Sequence, residues 1–261
     1  PEFGGNVLWL NNQGTLEPLE DCHCLPIQSA MGIDAADINL DGWIDAVSGD
    51  ADQTHLIQND AAGSFIDVSR AWGAAQLTPE EMTWGVRLID VNNDGGLDIL
   101  SAKGDHTYPG LDTPEYEGDL PFSVLKQTPS GFTEVSSEWG LDLMGSFRSI
   151  VPIHWNKDGI LDYWITDVEQ APTLMVSNGC SDGNWLSFSG LNGTNIKVHA
   201  RNRTWTGSLY GQSSYGANRS PLWHIGLGGI KEVQQIEIQR PGGEWSVWKE
   251  SISVNQHLHI P

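Results

Sequence analysis

One short acidic pattern occurs three times in this 261-residue chain with the same internal spacing, and that spacing fixes a loop geometry. The copies are Asp37-Ile-Asn39-Leu-Asp41-Gly42-Trp-Ile-Asp45, Asp90-Val-Asn92-Asn-Asp94-Gly95-Gly-Leu-Asp98 and His154-Trp-Asn156-Lys-Asp158-Gly159-Ile-Leu-Asp162. A hard cation takes roughly six to eight oxygens, and a tight loop supplies them from alternate residues only if the chain turns sharply. The glycine at position six provides the turn. Side chains at positions one, three, five and nine and the carbonyl at position seven then face one point. The first loop offers Asp37, Asn39, Asp41, Asp45 and the carbonyl of Trp43 as calcium ligands; the second offers Asp90, Asn92, Asp94, Asp98 and the carbonyl of Gly96. In the third, His154 stands where the first carboxylate should be and Lys157 adds a positive charge, so His154, Asn156, Asp158, Ile160 and Asp162 predict weak calcium binding or none. Two Ca²⁺ ions are expected. An EF-hand would need a bidentate Glu at position twelve, where Ser48, Ser101 and Ile165 stand, and helices on both flanks. Here each loop runs into an apolar, strand-like stretch: Ala46-Val47, Ile99-Leu100 and Tyr163-Trp164-Ile165.

The loops belong to a larger repeat. Their first positions, 37, 90 and 154, lie 53 and 64 residues apart, a period typical of propellers and solenoids. Hairpins recur between them: Leu8-Trp9-Leu10-Asn11-Asn12 before Gly14-Thr15-Leu16, Leu56-Ile57-Gln58-Asn59-Asp60 before Gly63-Ser64-Phe65, and Val124-Leu125-Lys126-Gln127 before Gly131-Phe132-Thr133. Ala71-Trp72-Gly73 and Glu138-Trp139-Gly140 follow the later two, and a partial copy opens at Leu174-Met175-Val176-Ser177. The repeating unit is a four-stranded sheet with its loop between two strands.

These residues resemble the FG-GAP or VCBS blade of integrin-like calcium-binding β-propellers over roughly residues 5 to 180. The segment from Asn184 to Ile260 looks like an ASPIC/UnbV domain, through Asn184-Trp185-Leu186, Ile196-Lys197-Val198-His199-Ala200, Ser213-Ser214-Tyr215, Trp223-His224-Ile225-Gly226-Leu227-Gly228 and the run Val233 to Gly243. In that order the two parts are similar to a cartilage-acidic-protein-type architecture. The expected fold is therefore all-β: a partial propeller of about three to four visible blades over residues 4–182, and a small β domain over 183–261. Residues 1–3 read as a cloning scar.

Charge divides the chain at the same place. Residues 1–180 hold 29 acidic and 6 basic side chains, a balance of −23, whereas residues 181–261 hold 5 and 7, a balance of +2. Such a negative field repels nucleic acid and anionic membrane and attracts divalent ions. No apolar run is long enough to span a bilayer, which argues against membrane insertion. Closed propellers usually need at least about four blades, because open ends leave unpaired edges. The short blade count therefore predicts a longer propeller, cover from the C-terminal strands, self-association, or completion by another chain.

Catalytic signatures are missing from the sequence: there is no His-Glu-x-x-His, no Gly-x-Ser-x-Gly and no phosphate loop. His224 reads as a hydrogen-bonded structural histidine, and His257 and His259 share one strand face. Cys22, Cys24 and Cys180 leave one thiol unpaired under any pairing, and Asn192, Asn202 and Asn218 head glycosylation sequons. Trp205, Trp245 and Trp248 are the rings that could stack on a sugar. The reading is an extracellular or cell-surface (alternatively periplasmic), calcium-stabilised, non-enzymatic adhesion or matrix module with a protein or glycan ligand. The competing reading is a carbohydrate-binding or carbohydrate-processing propeller.

Overall fold

In the computed structural model, the described residues are 8–12, 14–19, 30–51, 53–61, 64–75, 82–105, 119–178, 181, 183–211, 214–217 and 221–261. Pro1–Phe3, Cys22, Cys24, Cys180 and Asn218 lie outside them. Among the described residues every regular element is a strand.

The chain begins with a hairpin of β1 (Trp9–Asn12) and β2 (Thr15–Pro18). The first complete sheet runs in order through β3 (Ile33–Ala36), β4 (Asp45–Gly49), β5 (Thr54–Asn59) and β6 (Phe65–Asp67), all antiparallel. The second pairs β7 (Met82–Ile89), β8 (Asp98–Gly104), β10 (Ser123–Thr128) and β11 (Gly131–Glu134), while the short β9 (Leu120–Pro121) pairs with β12 (Met144–Gly145). The third has three strands, β13 (Phe147–Ile153), β14 (Asp162–Asp167) and β15 (Thr173–Met175). These successive small sheets are set side by side in the manner of a β-propeller, and each acidic loop joins the first two strands of its blade.

The middle blade is covered on both faces, which explains why β7 and β8 are buried along their whole length instead of alternating. Val47, Leu56, Val86 and Ile99 form the core between the first and second blades. Leu100, Phe122, Ile150 and Ile165 form the core between the second and third. A buried ion pair pins all three together: Arg87 of β7 donates from Nε to the carbonyl of Ile150 at 3.1 Å and lies 3.7 Å from Asp34 of β3. Asp34 in turn accepts the amide of Leu88 at 3.0 Å.

The C-terminal part is a two-sheet sandwich. One sheet contains β16 (Asn184–Gly190), flanked by β19 (Leu222–Gly228) and, in parallel, by β22 (Gln256–Ile260). The other runs β18 (Arg203–Ser208), β17 (Asn195–Ala200), β20 (Glu232–Gln239), β21 (Ser246–Ser253). Alternating burial along β17 sends Ile196, Val198 and Ala200 into a shared core with Leu186, Phe188, Ile225, Ile236 and Leu258.

Candidate metal centres

The three acidic loops have one backbone. Position four has a left-handed φ of 59° at Leu40, 60° at Asn93 and 60° at Lys157, and the glycine at position six has 92°, 95° and 95° at Gly42, Gly95 and Gly159. Two left-handed residues within three positions make the turn, and only the second carries no side-chain penalty. Position five caps the turn in each copy, accepting the amide two residues on: Trp43 to Asp41 at 2.8 Å, Gly96 to Asp94 at 2.9 Å and Ile160 to Asp158 at 2.9 Å.

The carboxylate at position nine ties the loop to its blade. One oxygen accepts the amide of position two, from Ile38 to Asp45 at 3.0 Å, Val91 to Asp98 at 3.0 Å and Trp155 to Asp162 at 2.7 Å. The other accepts an amide on the third strand side, from Asn59, Gln127 and Ser177, each at 2.9 Å. That pattern holds in the third loop too, so position nine has a structural duty in every copy.

Position one separates the loops. Asp37 accepts the amides of Asp41 and Gly42 at 3.1 and 2.9 Å, and Asp90 those of Asp94 and Gly95 at 3.1 and 2.7 Å. His154 instead packs its ring 5.9 Å from Trp185 and 5.1 Å from His224.

Crowding of like charges is concentrated in the first two loops. Burial, with Asp41 and Asp45 nearby, pushes Asp37 up to about 6; burial likewise raises Asp45. In the second loop burial, then Asp98 and Asp94, holds Asp90 well above the usual carboxylate range, and burial raises Asp98 to about 7. Each of these two loops therefore carries three carboxylates, one amide and one carbonyl, all oxygen donors, with the carboxylates of positions one and nine buried. Calcium suits such a set in chemistry and charge. As they stand, no three acidic or imidazole groups among the described residues converge on one point. The Asn39 and Asn92 amides instead donate to Asp41 and Asp94 at 2.7 and 2.9 Å, and Lys126 lies 3.2 Å from Asp94. Holding an ion requires those side chains to rotate, while the backbone turn is already set.

Position four, which a ligand pattern ignores, is where the sandwich meets the loops. Leu40 packs against the sandwich core. The Asn93 side chain donates to the Gly159 carbonyl at 3.1 Å and pairs through Oδ1 with His224 Nε2 at 2.7 Å, and its carbonyl accepts the Gly228 amide at 2.9 Å. Gly226 lies so close that a Cβ there would sit 2.0 Å from Asp90 Oδ2, and one on Gly183 would sit 1.9 Å from the Asn93 carbonyl oxygen. Gln127 links the first two loops, accepting the Leu97 amide at 3.0 Å and donating to the Ile38 carbonyl at 2.9 Å. Leu40, Asn93 and Gln127 escaped sequence reasoning because they are not ligand types at ligand positions. For Leu40 and Asn93 the signal present was a bulky or polar residue forced into a left-handed turn; Gln127, inside β10, gave none.

Of the three tryptophans considered for sugar stacking, Trp205 is 5% exposed and belongs to the sandwich core. Lys197 lies 4.5 Å from the Trp245 ring and Lys249 5.0 Å from that of Trp248. His257 bonds Ser187 and Ser189, each at 2.8 Å, and His259 bonds Ser189 at 3.1 Å.

Residues 37–101, spanning the first two acidic loops, match the FG-GAP-like repeat family. Residues 189–261, most of the sandwich, match the family described as ASPIC and UnbV. No curated protein matches the chain. The chain thus carries an FG-GAP-like repeat of a β-propeller followed by an ASPIC and UnbV domain.

Proposed function

We propose that the protein is a calcium-stabilised, non-catalytic interaction module of the extracellular or cell-surface space. The observation that carries this reading is the paired build of the first two loops: the same left-handed turn, and acidic groups whose burial, and after it their mutual repulsion, raises their affinity for protons. A divalent ion bound there neutralises that repulsion, and its binding energy becomes folding energy. The ligands would be Asp37, Asn39, Asp41, Asp45 and the Trp43 carbonyl, with Asp90, Asn92, Asp94, Asp98 and the Gly96 carbonyl at the second site.

Calorimetric titration of chelator-treated protein should give a stoichiometry of two. Asp41→Ala and Asp94→Ala should each remove one site. A stoichiometry of zero, or two unchanged sites in both variants, would overturn the assignment. The third loop should behave differently. Asp158 is exposed and its loop begins with a histidine, so Asp158→Ala should leave the stoichiometry at two and cost only the lost cap on the Ile160 amide, about 0.5–1.5 kcal/mol. Loss of a site in this variant would show that the third loop binds after all.

A glycan ligand is the reading favoured by a second observation. A cleft of about 570 Å³ between the first loop and the sandwich is lined by Asp37, Ile44, Tyr210 and Trp223, combining aromatic walls with a carboxylate. Glycan-array binding that is lost in Tyr210→Ala would support it, and binding only to protein partners would exclude it.

A further inference from the structure

Among the described residues β22 is an edge strand, paired with β16 alone. Its alternation sends Leu258 and Ile260 into the sandwich core and leaves His257 and His259 exposed on the other face. The parallel register sets each histidine beside a serine of β16, His257 against Ser187 and His259 against Ser189. The two rings then meet at one atom: Ser189 Oγ lies 2.8 Å from His257 Nε2 and 3.1 Å from His259 Nδ1. A hydroxyl carries a single proton and cannot donate to both nitrogens.

The far nitrogen of His257 is held from behind. Its Nδ1 lies 2.8 Å from the hydroxyl of Ser187, which is 0% exposed. With Nδ1–H donating there, the Nε2 lone pair points toward Ser189, and a buried partner that fixes tautomer and ring orientation in this way is the usual support of a metal-ligating imidazole. Burial, and after it His259, lowers the pKa of His257, so the ring is in its neutral, ligating form at pH 7. His199 and His224 are engaged differently. His199 is held between Thr204 at 2.9 Å and Glu237 at 2.7 Å, and His224, across β16 from His257, pairs with Asn93 at 2.7 Å.

We infer that His257 and His259 form a binding site for a transition-metal dication of the Zn²⁺, Ni²⁺ and Cu²⁺ class, separate from the acidic loops. Imidazole nitrogen suits these ions and an all-oxygen loop suits calcium, so the two kinds of site select different metals. The ion takes the place of Ser189 Oγ, which turns to another staggered rotamer. Each ring closes by about 1 Å to reach a metal–nitrogen distance of about 2.0–2.1 Å. Two protein ligands leave the other positions to water, so the site is weaker than a closed four-ligand one and stays open at the sheet edge.

The test is calorimetric titration of the calcium-saturated full chain with zinc chloride. One zinc ion per chain should bind with calcium in place. His257→Ala and His259→Ala should each abolish binding, Ser187→Ala should weaken it by about tenfold, and Ser189→Ala should retain it. Both histidines are exposed, so an unchanged melting temperature in calcium verifies that their variants are folded. Independently, paramagnetic Cu²⁺ should broaden the ring signals of His257 and His259 before those of His199. Full zinc binding in either histidine variant would overturn the inference, as would no binding at millimolar zinc or equal broadening of all three rings. Loss of zinc binding in Asp41→Ala or Asp94→Ala would overturn it too, by placing the ion in the acidic loops.

Discussion

Removing divalent cations should lower the melting temperature by roughly 10–20 °C, and the size of that drop should depend on pH. Calcium at about a hundred times its dissociation constant contributes about 2.7 kcal/mol per site. Two sites, at roughly 2–4 °C per kcal/mol for a chain of this size, give the stated range. The pH dependence follows from the raised carboxyls. Asp37, at about 6, and Asp98, at about 7, hold protons in the folded chain that the unfolded chain releases near 3.8. In chelator the folded state therefore carries extra protons between about pH 4 and 7, and this contribution to stability is fully present below pH 4 and lost as the pH rises through that window. Calcium competes with those protons, so its stabilisation grows over the same window. Thermal unfolding followed by circular dichroism should show the calcium and chelator curves close together near pH 4 and widely separated at pH 7.5. A constant separation across that range would mean that the buried carboxyls are not the ligands.

The loops were legible in the sequence because their chemistry is local. A cation loop is set by residue types at fixed offsets, and the blades follow from hairpins at a fixed period, so Asp37 to Asp45 and Asp90 to Asp98 could be picked out residue by residue. The docking of the sandwich was not legible, since it depends on which residue happens to occupy position four of each copy. Leu40, Asn93 and Lys157 share a left-handed conformation, yet one packs into the sandwich core, one makes polar bonds across the boundary and one is exposed. The Arg87–Asp34 pair was hidden for a similar reason. Its partners, Asp34, Leu88 and Ile150, come together only once three blades are side by side.

Replacing Asn93 should uncouple the sandwich from the propeller while leaving each part folded. Asn93→Gly keeps the left-handed φ of 60° available, so backbone strain is not added and only the side chain is lost. What disappears is the bond to the Gly159 carbonyl and the one to His224 Nε2, both buried at the junction. Leaving such groups without partners costs about 1–3 kcal/mol each. Gly226→Ala attacks the same contact from the other side, because its Cβ would overlap Asp90 Oδ2 and the Asn93 backbone; overpacking of this kind costs about 1–3 kcal/mol, occasionally more. Lys157→Gly, at the equivalent position of the exposed third loop, is the control and should change stability by no more than about 0.5 kcal/mol. Calorimetry should resolve two transitions in the first two variants and one in the control. Limited proteolysis should cut the first two between residues 176 and 183, where the propeller hands over to β16. Because Asn93 sits inside the second acidic loop, chelator should produce a weaker version of the same cleavage in the unaltered protein. A single transition with an unshifted melting temperature in Asn93→Gly would mean that the sandwich is held by its apolar contacts at Leu40 and Leu222, and that the second loop does not secure it.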